Sequence, residues 1–301
     1  MYVLTKFFGT EQYQKEFVEG DLYLSSLAEY SKIVPERGLE EAARNGDSFA
    51  AQLLAKIRNT EQMDIFEGAV ASVSPNKVPE IQQSDLKDHV CRDVVLKAKR
   101  YDYCNVACFC RIDYELSRMP GATILHWNEP DMKAFGDYAI IVKNPMEFLR
   151  KLQVGIDKLG YKCLCGPVNY HQLTLNVKKA PNKNSLILRR DDSVEIDSYT
   201  RKFNYDAFDK MNRYKKQHEW RIIVNNDIKN EDLLRIPLGD LSDIVLPVKR
   251  AEFGTVLDEL LRKSQVLPVR DGYYGNFSRE EMRKQFYEMG DNRCYLMITV
   301  G

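Results

Sequence analysis

Between Asp137 and Gly160 the chain spells out a strand and a helix in immediate succession, and no other stretch limits the fold as much. DYAIIVK is a short run of β-branched and aromatic residues of strand length. Asn144 follows as a helix N-cap, with Pro145 at the first helical position. Phe148, Leu149, Leu152, Ile156 and Leu159 then share one helical face, and Gly160 supplies the stop. A strand that delivers an amphipathic helix must bury both against other elements. The unit does not recur as a steady βα alternation, which argues for an α+β arrangement over a doubly wound sheet.

Other elements follow from the same rules. Tyr2 to Phe8 reads as a strand, and Thr10 caps a helix that runs to Glu19 and stops at Gly20. Leu22–Leu24 is a second short strand, and Arg37 to Met63 carries helical spacing. The segment from Ser74 to Asp88 reads as a surface loop. Strands are expected at Asp93–Lys99, Asn105–Ile112, within Tyr161–Leu175, within Leu233–Val248 and at Arg293–Val300. The acidic stretch RRDDSVEID reads as a loop or a long hairpin. Helices fit Ala251–Ser264 and Ser278–Met289, the second opening with a capping box of Ser278 and Glu281. The expectation is one α+β domain over residues 1–301, with a mixed, mostly antiparallel sheet and a helical insertion at about 37–66.

Composition narrows the function classes. Lys+Arg and Asp+Glu both number 44, so no net charge pulls the protein toward nucleic acid or membrane. Seven cysteines show no regular disulfide spacing, which favours reduced thiols and a cytoplasmic setting. The first residues do not read as a signal peptide, and no window holds the ~18 apolar residues of a spanning helix. Neither a membrane nor a nucleic-acid partner is expected. GxxxxGK[ST], GxGxxG, HExxH and GxSxG are all absent.

Two CxC pairs stand out, Cys108/Cys110 and Cys163/Cys165. A flat strand spaces residues i and i+2 by roughly 7 Å, which splays two thiols too far for easy chelation. Structural core thiols are therefore expected, with no metal. Trp127, in a turn-rich segment beside His126, reads either as a stacking surface in a cleft or as an anchor for its loop. The basic run Arg213–Lys216 reads as a solvated helix end or as a phosphate contact.

The densest constellation is FDKMNRYKKQHEWRIIV, Phe208 to Val224. A basic, helical segment is expected to run straight into a strand. On that strand Gln217, Glu219 and Arg221 would form one polar row, with an apolar row behind it. The row is either a cross-strand ion-pair ladder or the centre of a site. As a site, Glu219 would act as a carboxylate facing a cleft, oriented by Gln217 and Arg221. The Arg would lower its pKa and suit it to electrostatic work over proton donation.

Several motifs, taken in order, resemble a family of bacterial and phage proteins with no assigned reaction. They are Lys6–Phe7, Gly20–Asp21–Leu22–Tyr23, Cys108–Phe109–Cys110, Trp127 with Tyr138–Ala139, and Phe208–Asp209–Lys210 leading to Glu219–Trp220–Arg221. Asp64 and Glu67–Gly68 resemble an acidic element of the same proteins. Gln217–His218–Glu219 is also similar to the [QE]-x-E motif of ADP-ribosyltransferases, whose glutamate steadies an oxocarbenium-like transition state. The resemblance implies an NAD- or nucleotide-handling transferase or glycohydrolase that takes a small nucleotide-like ligand, in a toxin, defence or counter-defence setting. It implies Glu219 as the catalytic residue, Gln217, Arg221, Lys6, Tyr23 and Trp127 as substrate contacts, and NAD as the substrate. Two rivals remain: a non-enzymatic module binding a small anionic ligand or a protein, and a nucleic-acid-acting protein using Lys210, Arg213, Lys215 and Lys216.

Overall fold

The computed structural model describes residues 1–27, 69–73, 90–98, 104–116, 122–124, 135–171, 186–188, 193–196, 207–225, 233–276, 278–282 and 293–300. The expected helical insertion at about 37–66, the loop from Ser74 to Asp88, His126 and Trp127 lie outside these residues.

The N-terminal part of the chain supplies strands β1 (Tyr2–Phe8), β2 (Asp21–Ser26), β3 (Ala69–Val73), β4 (Val90–Ala98) and β5 (Cys104–Leu116). Strands β6 (Ala122–Ile124), β7 (Tyr138–Val142), β8 (Lys162–Pro167), β9 (Asn169–His171), β10 (Leu186–Leu188) and β11 (Ser193–Ile196) follow. The remainder are β12 (Asp209–Met211), β13 (Glu219–Asn225), β14 (Leu233–Pro237), β15 (Val245–Lys249), β16 (Tyr274–Gly275) and β17 (Arg293–Val300). The main helices are α1 (Glu11–Glu19), α2 (Pro145–Leu159) and α3 (Arg250–Arg262).

The chain is an α+β protein built on a ten-stranded sheet with the central order β15-β7-β1-β5-β13-β8-β16. A second sheet runs β10-β11-β17-β4-β3, in which the acidic stretch contributes β11, paired antiparallel with β10. Among the described residues all pairings are antiparallel except β9 with β12. No described helix is long and apolar enough to cross a membrane.

The expected caps form for the expected reasons. Thr10 Oγ1 accepts from the Tyr13 N–H at 3.3 Å, and Gly20 closes α1 at φ 106°. Asn144 Oδ1 accepts from the Glu147 N–H at 3.1 Å ahead of α2. Ser278 and Glu281 bond each other reciprocally, as a capping box requires.

Helices cover both faces of the large sheet. On one face Leu4, Phe8, Ala107, Phe109, Trp220, Ile222 and Val224 pack under Phe17 of α1 and Phe148, Leu152 and Ile156 of α2. Phe109 centres this layer, with ring centroids 5.5 Å from Phe148 and 6.0 Å from Trp220. On the other face Val3, Ile112, Tyr114, Ala139 and Ile141 meet Phe253, Leu257, Leu260 and Leu261 of α3.

β5 is the spine of the sheet. Along one edge it pairs with β13 from Cys104 to Cys110. Along the other it pairs first with β2, opposite Asn105 and Val106, and then with β1, opposite Cys110 to Asp113. At the seam between these two partners, Lys6 Nζ donates to the Cys108 carbonyl at 2.9 Å. Asn105 Nδ2 donates to the Leu24 carbonyl at 3.2 Å. Polar side chains thus fill hydrogen bonds that a continuous neighbouring strand would make.

Candidate functional site

The polar row on Phe208–Val224 is assembled differently from the sequence expectation. After β12 the chain winds as a 3₁₀ helix from Asn212 to Gln217, not as an α-helix. Six residues are too few for a stable α-helix. The short winding turns Tyr214 inward at 7% exposure while Lys215 and Lys216 stay exposed. His218 then adopts φ 43°, a left-handed value uncommon for any residue but glycine. Strand β13 begins only at Glu219. Gln217 is therefore not on the strand, and it reaches the Glu219 group from the end of the 3₁₀ helix.

Trp220 and Ile222 do form the apolar row, in the layer under α2. Glu219 and Arg221 point to the opposite face, where residues 207–217 lie over β13. Every residue of β13 is buried, and Glu219 is only 5% exposed.

Both carboxylate oxygens of Glu219 are engaged. Oε1 accepts from Arg221 Nε at 2.5 Å, and Oε2 accepts from Lys210 Nζ at 2.8 Å. Lys210 Nζ also donates to Gln217 Oε1 at 3.0 Å and lies 4.9 Å from the centre of the Tyr214 ring. Arg221 is anchored at its other end, donating to the Ala207 carbonyl. The Glu219 N–H donates to the Tyr170 hydroxyl at 2.7 Å. Across the ladder, Cys110 stands opposite Glu219 and Cys108 opposite Arg221. Beside this group Asp209, 3% exposed, pairs with Arg279 at 2.9 Å.

The electrostatics follow from burial and charge together. Burial by itself would raise the Glu219 pKa, but the Arg221 and Lys210 charges outweigh it and hold the carboxyl well below the usual carboxylate range. Burial, then the negative charge of Glu219, pushes the Cys110 thiol up to about 12. The same two causes, in the same order, raise the Tyr170 hydroxyl. Lys6 as a whole residue is half-buried, yet its ammonium is enclosed near the Phe8 and Phe109 rings. Burial pushes its pKa down, with Cys108, Cys110 and Glu219 pulling weakly the other way.

The fold thus brings Glu219, Arg221 and Gln217 together and sets Lys6 on the far side of Cys108, within electrostatic reach. Tyr23 lies on β2 opposite Arg235 of β14, outside this hydrogen-bonded cluster. Trp127 is outside the described residues. Lys210 and Tyr170 are the contacts that spacing alone did not attach to Glu219. The F-x-K element pointed to Lys210 without giving its partner, and nothing in the sequence marks Tyr170. A cavity of about 230 Å³ lies on the other face of the sheet, between α2 and β8. Comparison with family models, curated proteins and solved structures finds no match to this chain.

Chemically, the group presents a permanently ionised carboxylate between two unlike cations. The Arg221 guanidinium is planar and tied at both ends, whereas the Lys210 ammonium sits on a flexible four-carbon stem. Such a carboxylate cannot donate a proton near neutral pH. It can stabilise positive charge or accept a hydrogen bond if Lys210 gives way.

Proposed function

We propose that this protein is a nucleotide-handling enzyme of the ADP-ribosyltransferase or NAD glycohydrolase type, with Glu219 as its catalytic carboxylate. One observation carries the reading: Glu219 is buried yet kept ionised between Arg221 and Lys210, with Gln217 held on the same ammonium. Buried charge is costly, and sites with strongly perturbed carboxylates are where function concentrates. The left-handed His218 between Gln217 and Glu219 adds local strain of the kind that gathers at working sites.

In this reading the pyrophosphate of NAD offers Lys210 a new anionic partner. Transfer of the ammonium frees Oε2 to bond a ribose hydroxyl and to face the cationic sugar as the nicotinamide leaves. Arg221 keeps the other oxygen oriented throughout. Lys6, Tyr23 and Trp127 would be further contacts, and a bacterial or phage defence setting is what the resemblance implies.

The test is NAD consumption by the purified protein, with release of nicotinamide followed by chromatography. Glu219→Gln should lose at least a hundredfold of that turnover, the scale on which removing one preorganised electrostatic group acts. Wild-type protein that neither binds nor consumes NAD would refute the proposal.

A second reading rests on the full engagement of both Glu219 oxygens at 5% exposure. Here Lys210, Glu219 and Arg221 are a strut that fastens residues 207–217 to β13. The Glu219→Gln variant then loses stability and has no turnover to lose.

A further inference from the structure

The second CxC pair forms a different kind of place. Cys163 and Cys165 lie on β8, both almost fully buried, with their sulfurs 3.4 Å apart. The flat-strand spacing that argued for splayed thiols does not survive. β8 lies next to the two-residue edge strand β16, and the side chains lean toward each other from one face. The two thiols border the cavity of about 230 Å³, whose other walls include Leu149, Tyr274, Arg150 and Met146. Met146, 57% exposed at the start of α2, carries its thioether on an unbranched stem with three rotatable bonds.

We propose that Cys163, Cys165 and Met146 form a binding site for copper(I). Thiolate and thioether sulfurs are soft donors and select this soft, monovalent ion over harder ones. The donor set does not suit structural zinc, which takes four nitrogen, sulfur or oxygen ligands in a closed tetrahedron. Among the described residues no group of three His, Cys, Asp or Glu converges on one point. Binding exchanges protons for metal without any change of oxidation state. Two thiols release two protons, two copper–sulfur bonds form, and the thioether closes the third. The resulting centre carries one negative charge. The Arg150 guanidinium, held by Glu147 through two bonds of 2.7 Å, borders the same cavity.

The experiment is an anaerobic competition for copper(I) between the reduced, full-length chain and the chromophoric chelator bathocuproine disulfonate. Wild-type protein should withdraw one equivalent per chain and release two protons as it does so. Cys163→Ser/Cys165→Ser should weaken binding on the order of a hundredfold or more, and Met146→Leu by about tenfold, the range in which ligand-sphere changes act. Cys108→Ser/Cys110→Ser should keep the wild-type affinity, because those thiols lie on the other face of the sheet. X-ray absorption of the wild-type copper complex should show a first shell of three sulfurs, which keeps the test decisive if the cysteine variant fails to fold. Wild-type protein that cannot compete, a shell containing nitrogen or oxygen, or loss of binding in the Cys108/Cys110 variant would each overturn the site.

Discussion

Glu219 shows what a single buried carboxylate demands of its neighbours. Lys210→Met leaves one oxygen without its cation, and breaking a buried pair from one side costs about 3–5 kcal/mol. Urea unfolding should show that loss, and the Glu219→Gln/Lys210→Met double variant should lose less than the two single variants summed. Additive losses would mean that the two side chains are not energetically coupled. The pH dependence has a definite sign. The folded-state pKa of Glu219 is depressed, so its contribution is present above the unfolded value of about 4.3 and is lost as pH falls below it. Wild-type stability should therefore decline on acidification from pH 5 downward, and Glu219→Gln should decline less steeply. An equal slope in both proteins would remove Glu219 from the acid response. The Cys110 thiol, pushed up to about 12, should resist alkylation by iodoacetamide at neutral pH in the folded protein and react once unfolded. The pairing of Glu219 with Arg221 was legible from their spacing of two on a strand. The Lys210 contact was not, because it needs a 3₁₀ turn and a left-handed His218 to fold the chain back.

Among the elements, α2 is the clearest product of local rules. Its cap, its glycine stop and its apolar face are set within one stretch of chain, so the sequence placed them, except that Leu159 in the last turn, expected on that face, is 39% exposed where the helix runs out past the core. What the sequence did not reveal is why Gly155 sits in the middle of this helix. A Cβ there would come 2.9 Å from both the Ile236 side chain and the Pro237 carbonyl of β14. The glycine lets helix and strand approach more closely than any other residue permits. Gly155→Ala improves helix propensity by about 1 kcal/mol yet overpacks this contact, which costs typically 1–3 kcal/mol. The expected net result is a lower melting temperature, and a higher one would show that β14 yields without strain. Asn144→Ala should cost about 1 kcal/mol through the lost cap, a change readable in the same melts. Residues 208–217 behaved in the opposite way to α2. Their basic, helix-compatible composition was overridden by tertiary contacts: Lys210 reaches Glu219 on β13, Gln217 bonds the same ammonium, and Tyr214 is buried beside it.

For the whole molecule, the mostly antiparallel α+β class was readable from the absence of βα repetition, but the strand order was not. Tyr2 pairs with Asp113 and Asn225 with Cys104, and such partners carry no local signal. Hydrogen exchange should rank the sheet accordingly. Amides of β1, β5 and β13, flanked on both sides, should exchange most slowly, while those of the outer strands β15 and β16 should exchange sooner. A uniform rate across the sheet would contradict its layered burial. The position of β5 also has a consequence for biosynthesis. Strands β1 and β2 emerge from the ribosome before it and can zip onto one of its edges as soon as it appears. Its other edge must wait for β13, encoded far downstream. During that interval the nascent chain presents a long, open strand from Cys104 to Cys110 to every other polypeptide nearby, and chaperone capture of half-made chains should fall away only when residue 225 clears the exit tunnel.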